Sequence, residues 1–209
     1  MKKFFTVFIA TLVLSFGSAK AIDKDSDNDW SDINILFLIW TAEEVEFFVP
    51  SINGAHDAAE DQGVSIFMEF GDSDTAKTND ILETAIANKV DGIAMTVWDD
   101  DAFDEIVCKA MEAGIPVVLH NIDDSQRGAG NCRMAYIGQF FIETGEVLAN
   151  RMIADHGLGA GDHVFTPVEF PEAVYAVQRH EGVNNGITAV GGTTEILGTG
   201  TDHSEALNI

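Results

Sequence analysis

Short apolar runs alternate with segments of helical periodicity along almost the whole chain, and this alternation limits the fold more than any other feature. The runs "INILFLIW" (33–40), "VSIFMEF" (64–70), "GIAMTV" (92–97) and "IPVVLHN" (115–121) are continuous rather than every-other-residue apolar. Between them lie "FFVPSINGAHDAAEDQG", "AKTNDILETAIANK" and "DAFDEIVCKAMEAG", the second with apolar positions at Ile81, Leu82, Ala85 and Ile86. Strands that are apolar on both faces must be covered on both faces, so the pattern predicts parallel strands joined by right-handed helical crossovers, an α/β fold with a doubly wound sheet. A second series repeats the grammar: "RMAYIG", "FFIETGEVLANRMIADHG", "HVFTPVEF", "EAVYAVQRHEGVNNGITAV" and "TTEILGTG". The polar segment "DDSQRGAGNC" joins the two series, which suggests two similar lobes. The expected division is a first lobe over 33–123, a hinge crossover over 124–131 and a partial second lobe over 132–209.

The amino terminus points to export. Lys2 and Lys3 precede an apolar run from Phe4 to Phe16, and "SAKA" supplies small residues at Ala19 and Ala21, so residues 1–21 read as a secretory signal cleaved after Ala21. The run is short of the roughly 20 apolar residues of a spanning helix. The mature chain is therefore expected to be exported and soluble. Residues 1–21 contain Lys2, Lys3 and Lys20 and no acid, so cleavage leaves 8 of the 11 basic residues against 35 acidic ones, a net charge of -27. Such a field repels polyanions and argues against nucleic acid or an anionic membrane as partner. The leader "IDKDSDNDWSD" (22–32) imitates a calcium loop with aspartates at 23, 25, 27 and 29. Its sixth position is Asn28 where glycine belongs and its twelfth is Asn34 where a bidentate Glu belongs, so it reads as a solvated acidic segment.

Two cysteines, Cys108 and Cys132, either bridge in an oxidising compartment or stand as two buried thiols, and spacing does not decide between them. The histidines at 56, 120, 156, 163, 180 and 203 show no ligand spacing, and neither a metal nor a cofactor is expected. No GxSxG elbow, HExxH helix or P-loop occurs. "GLGAG" (157–161) follows a helix and precedes a strand, the wrong order for a phosphate cradle, so the chain does not read as an enzyme.

In open parallel sheets ligands sit beyond the carboxyl ends of the strands. Those ends carry Trp40 and Thr41, Trp98 and Asp99, His120 and Asn121, Gln139, and Glu169 and Phe170. Flat rings stack on the C–H face of a pyranose while carboxylates, amides and arginine pair with vicinal hydroxyls, so this rim is suited to a sugar. The competing reading of Asp99 to Asp101 is a helix cap for the segment that begins near Ala102.

The blocks "FFVPSINGAHDAAEDQGV", "DGIAMTV", "EAGIPVVLHNID", "AYIGQ" and "YAVQRHEGVNNGI" resemble, in order and spacing, the periplasmic sugar-binding proteins of ABC transporters. Their type is that of the ribose-binding protein, with the type I periplasmic binding protein fold, which LacI-like repressors share in their ligand-binding halves. The resemblance implies two lobes closing on a monosaccharide or sugar-like molecule, a transporter permease as partner, and a monomer. It places Phe47 and Phe48 against the sugar, and His120 and Asn121 where the family usually has an Asp-Arg pair. It makes Arg179 a clamp on two hydroxyls, with a surface salt bridge as its alternative role. Trp98, Asp99, Gln139 and Phe170 complete the expected ligand-binding set. A sensory protein that presents a signal such as autoinducer-2 to a receptor would use the same lobes. A repressor would need a basic helix-turn-helix where this chain has a signal and an acidic leader. The chain stops at "TDHSEALNI", which reads as the first turn of a helix, so the second lobe is expected to be incomplete and the chain truncated.

Overall fold

A computed structural model describes residues 30–126, 129–200 and 202–209. The expected signal, its cleavage site and the leader as far as Asp29 lie outside these residues. Five parallel strands form the first sheet: β1 (Asn34–Ile39), β2 (Ser65–Phe70), β3 (Gly92–Met95), β4 (Val117–Asn121) and β5 (Ala135–Gly138). Their order is β2-β1-β3-β4-β5. Helices α1 (Val49–Gln62), α2 (Thr75–Asn88) and α3 (Asp100–Glu112) connect the first four strands. The second lobe runs through α4 (Phe141–His156), β6 (His163–Val168), α5 (Val174–Ala189), β7 (Thr193–Gly198) and the short α6 (His203–Ala206), with β6 and β7 paired in parallel.

The continuous apolar runs do what their composition predicts. Leu36, Leu38, Met95, Val117 and Leu119 are buried in the central strands, and α3 lays Phe103, Ile106, Val107 and Ala110 onto them at helical spacing. Phe103 is fully buried, a contribution of about 1.5–3 kcal/mol. Local signals set the helix ends. The Asp74 carboxylate accepts from the Lys77 amide at 3.0 Å to start α2, and Gly63, at φ 72°, ends α1 in the left-handed region that glycine enters without strain.

The lobe boundary differs from the sequence expectation. The sequence pattern assigns the strand within "RMAYIG" to the second lobe, but β5 pairs with β4 along Val118–Ala135, Leu119–Tyr136, His120–Ile137 and Asn121–Gly138. Residues 124–131 are therefore a connection between neighbouring strands of one sheet, not the crossing between lobes. Three ties hold the chain there. Cys108 on α3 and Cys132 form a disulfide with Cα atoms 5.0 Å apart. Arg133 grips Asp123 through two 2.6 Å hydrogen bonds, and the Met134 amide donates to the Val117 carbonyl. The crossing falls at Gln139 and Phe140, just before α4.

Candidate functional site

The strand order places the switch point of the winding between β1 and β3, and the residues that follow those strands, Trp40 and Trp98, stand with ring centroids 5.5 Å apart. Next to them a cleft of about 450 Å³ opens between the lobes. The first lobe contributes Trp40 and Thr41 after β1, Phe47 and Phe48 from the 3-10 turn before α1, Asp72 and Ser73 after β2, and Asn121 and Ile122 at the end of β4. The second lobe contributes Phe141, Glu169, Phe170, Tyr175 and Arg179. The lobes touch across it: the Val174 amide donates to the Trp98 carbonyl at 3.3 Å, and Trp40 lies 5.6 Å from Phe170 and 6.4 Å from Tyr175.

Phe47 is 70% exposed and meets the buried Phe48 edge-on at 5.0 Å, so one ring is presented at the cleft and the other anchors it. Asn121 has a positive φ of 65°, which asparagine tolerates better than most residues, and this turns the chain at the strand end. The Tyr136 hydroxyl secures that turn, lying 2.9 Å from the Asn121 carbonyl and 2.8 Å from that of Gln139. Burial first, and the Asp123 carboxylate second, push the Tyr136 phenol up to about 12, so it stays a donor.

Arg179 has no carboxylate partner among the described residues. Its guanidinium instead lies over the Phe141 ring at 4.9 Å and the Tyr175 ring at 5.8 Å. Two aromatic faces hold the planar group and leave its fork of N–H donors for another acceptor. The Tyr175 hydroxyl donates to Glu169 Oε2 at 3.2 Å, and burial, with Glu169 second, raises its pKa to about 12.

The sequence-derived residues separate into three groups. Phe47, Phe48, Asn121, Phe170 and Arg179 line this cleft. Trp98 and Asp99 line an adjoining compartment that shares Trp40 and Phe170 with it. Asp99 sits at the N-cap position of α3, yet its side chain makes no capping hydrogen bond. His120 and Gln139 line neither space. Gln139 is exposed in the crossing. The strand-end pattern predicts that His120 faces the cleft, but the register aligns Phe37 with Ala94 and Ala94 with Val118, and His120 shares their face of the sheet. It stacks on Phe37 at 4.4 Å, with Nε2 3.3 Å from the Leu38 carbonyl. Sequence reasoning missed Phe141, Asp72, Ser73 and Tyr175. Tyr175 precedes Arg179 by four residues, the spacing that puts two side chains on one helix face, and that signal was available.

The family described as "Periplasmic binding protein domain" matches residues 35–208. The chain belongs to this family. It is 27% identical over 146 residues to the ABC transporter periplasmic-binding protein YphF of Escherichia coli K12, covering 69% of this chain and 42% of that protein. Among solved structures, it superposes on a periplasmic sugar-binding protein of an ABC sugar transporter from Legionella pneumophila with a TM-score of 0.75 at 20% identity. That alignment covers 83% of this chain and 63% of the other, and shows the common fold. An ABC transporter solute-binding protein from Burkholderia graminis C4D1M, solved with D-arabinose, gives a TM-score of 0.73 at 26% identity, covering 87% of this chain and 61% of that one. The chain thus spans less than two thirds of the length of each of these relatives.

Proposed function

We propose that this chain is an exported capture protein, cleaved after Ala21, that holds a monosaccharide or related small polyol between its lobes and delivers it to the inner-membrane permease of an ABC importer. It works in the periplasm as a monomer, needs neither cofactor nor nucleic acid, and releases its ligand unchanged. One observation carries the reading: Arg179, spread over Phe141 and Tyr175 without a carboxylate of its own, faces a cleft whose other walls include Phe47, Phe48 and Asn121. Rings cover the C–H faces of a sugar, and the guanidinium fork takes two hydroxyls at once. Closure follows from the same contacts, because only a ligand that touches both lobes favours the closed state. The E. coli relative's name supports a periplasmic partner of an ABC transporter, and the D-arabinose held by the Burkholderia relative supports this class of ligand.

The test is a thermal-shift screen of the chain from Ile22 against monosaccharides, sugar alcohols and cyclitols. One compound is expected to stabilise it, and Arg179→Ala should weaken that compound's binding by about 10- to 100-fold, the worth of hydrogen bonds to a charged donor. A folded chain that no compound in the panel shifts would remove the sugar assignment.

A further inference from the structure

Glu169 and Arg179 carry opposite charges and line the same cleft, yet they do not pair. Glu169 directly follows β6, and α5 carries Arg179 in its second turn. Arg179 is the only cationic side chain among the described residues that line this space. A carboxylate and a guanidinium on one wall gain from a forked, charge-assisted contact, and gain more once closing lobes expel water. Here both groups are held elsewhere. The Glu169 carboxylate accepts from the Tyr175 hydroxyl at 3.2 Å, and the Arg179 guanidinium lies over the Phe141 and Tyr175 rings. One side chain, Tyr175, thus touches both charges.

We propose that Tyr175 is a positioning residue that keeps Glu169 and Arg179 apart, so that Glu169 accepts from one ligand hydroxyl while Arg179 donates to its neighbour. The role of Glu169 toward a ligand rests on the sugar-binding reading; the spacing of the two charges does not. Tyr175 and Arg179 are four residues apart on α5, which sets the ring against the guanidinium at 5.8 Å. The Ala173 amide donates to the Phe170 carbonyl at 3.1 Å, closing the turn that brings Glu169 back to the first turn of α5. Trp40 of the first lobe backs the same ring at 6.4 Å. The phenol keeps its proton, because burial first and the Glu169 charge second raise its pKa to about 12, and it donates at neutral pH. A pair of vicinal hydroxyls, each able to donate and to accept, fits an acceptor and a donor fork that have not neutralised each other.

Tyr175→Phe removes the hydroxyl and keeps the ring, which frees the carboxylate to pair with Arg179. The reactivity of Arg179 toward phenylglyoxal reads this without any ligand. It is followed by peptide mass spectrometry against Arg151 of the same sample, which lies on α4 outside the cleft. Tyr175→Phe, checked for an unchanged circular dichroism melt, should slow modification of Arg179 about two- to fivefold, the scale of a solvent-accessible ion pair. Adding Glu169→Gln, which cannot form that pair, should restore the wild-type rate. A merely structural role predicts no such rescue, since the second substitution removes a further contact. An unchanged rate in Tyr175→Phe, or a slowed rate that survives Glu169→Gln, would overturn the spacer. Calorimetric titration with D-arabinose, D-xylose, D-glucose, D-allose and myo-inositol tests the ligand contact. A compound that binds the wild type should bind Glu169→Gln about tenfold more weakly, the worth of one hydrogen bond to a charged group. Equal affinity would overturn the contact and leave the sugar reading intact. Binding of none of the five, with Arg179 reactivity as expected, would overturn the contact together with the sugar reading and leave the spacer standing.

Discussion

At His120 two influences on one imidazole oppose each other, and burial wins. Desolvation pulls its pKa down to about 4, while the Leu38 carbonyl at 3.3 Å pulls weakly upward. A group whose folded pKa lies below its unfolded value of 6.5 stabilises fully above 6.5 and loses that contribution as pH falls through 4. The wild type should therefore lose about 2–3 kcal/mol relative to His120→Phe between pH 7 and pH 4, as read from urea melts at each pH. A difference between the two proteins that stays constant across this range would refute the account. Arg133 and Asp123 present a separate case, since the pair is nearly buried and doubly hydrogen-bonded. Arg133→Met should cost about 3–5 kcal/mol by stranding the carboxylate, and adding Asp123→Asn should restore part of the loss. Neither effect was readable from the sequence. Successive residues of a strand face opposite sides of the sheet, so adjacent His120 and Asn121 have opposite fates, and only the register with β1 and β3 tells which one meets the cleft.

At the scale of elements, the packing of α4 on α5 fixes where Arg179 stands. A Cβ added at Gly182 would lie 2.0 Å from the Ile142 carbonyl oxygen, and one at Gly145 would lie 2.3 Å from that of Arg179 itself. The helices approach backbone to backbone, which only glycine permits. Gly182→Ala should destabilise by about 1–3 kcal/mol through overpacking and weaken ligand binding by moving Arg179. Gly54→Ala is the matched control: it lies inside α1 with nothing within 4 Å of its added methyl, and should be neutral or stabilising by about 0.5–1 kcal/mol. Paired thermal melts separate the two, and equal effects would sink the close-packing argument. The elements themselves were legible, because continuous apolar runs and glycine stops survive in any context. The lobe that owns β5 was not. A polar stretch such as 124–131 looks the same whether it crosses between lobes or joins neighbouring strands, and the pairing of β5 with β4 settles the matter, tied by a disulfide between residues 24 apart in sequence. Closing a loop of that length predicts a loss of about 3 kcal/mol on reduction, measured as the shift between melts with and without reductant.

At the scale of the whole molecule charge outweighs every other feature of the composition: 35 acidic residues stand against 11 basic ones. The ion pairs Lys77–Asp72 and Lys109–Glu83 are exposed and offset little of it. Net self-repulsion opposes compaction and is long-ranged at low ionic strength, where the screening length is about 30 Å, but not at 0.1 M, where it is about 10 Å. Raising the salt from about 10 mM to about 300 mM should therefore raise the melting temperature, by about 5 °C if screening recovers on the order of 1–2 kcal/mol. Sodium and potassium chloride should act alike, since the effect needs no ion-specific site. A melting temperature that falls with salt would mean that attractive pairs outweigh the net repulsion. The same titration bears on the cleft, because affinity for a neutral sugar depends on rings and hydrogen bonds and should be nearly flat in salt.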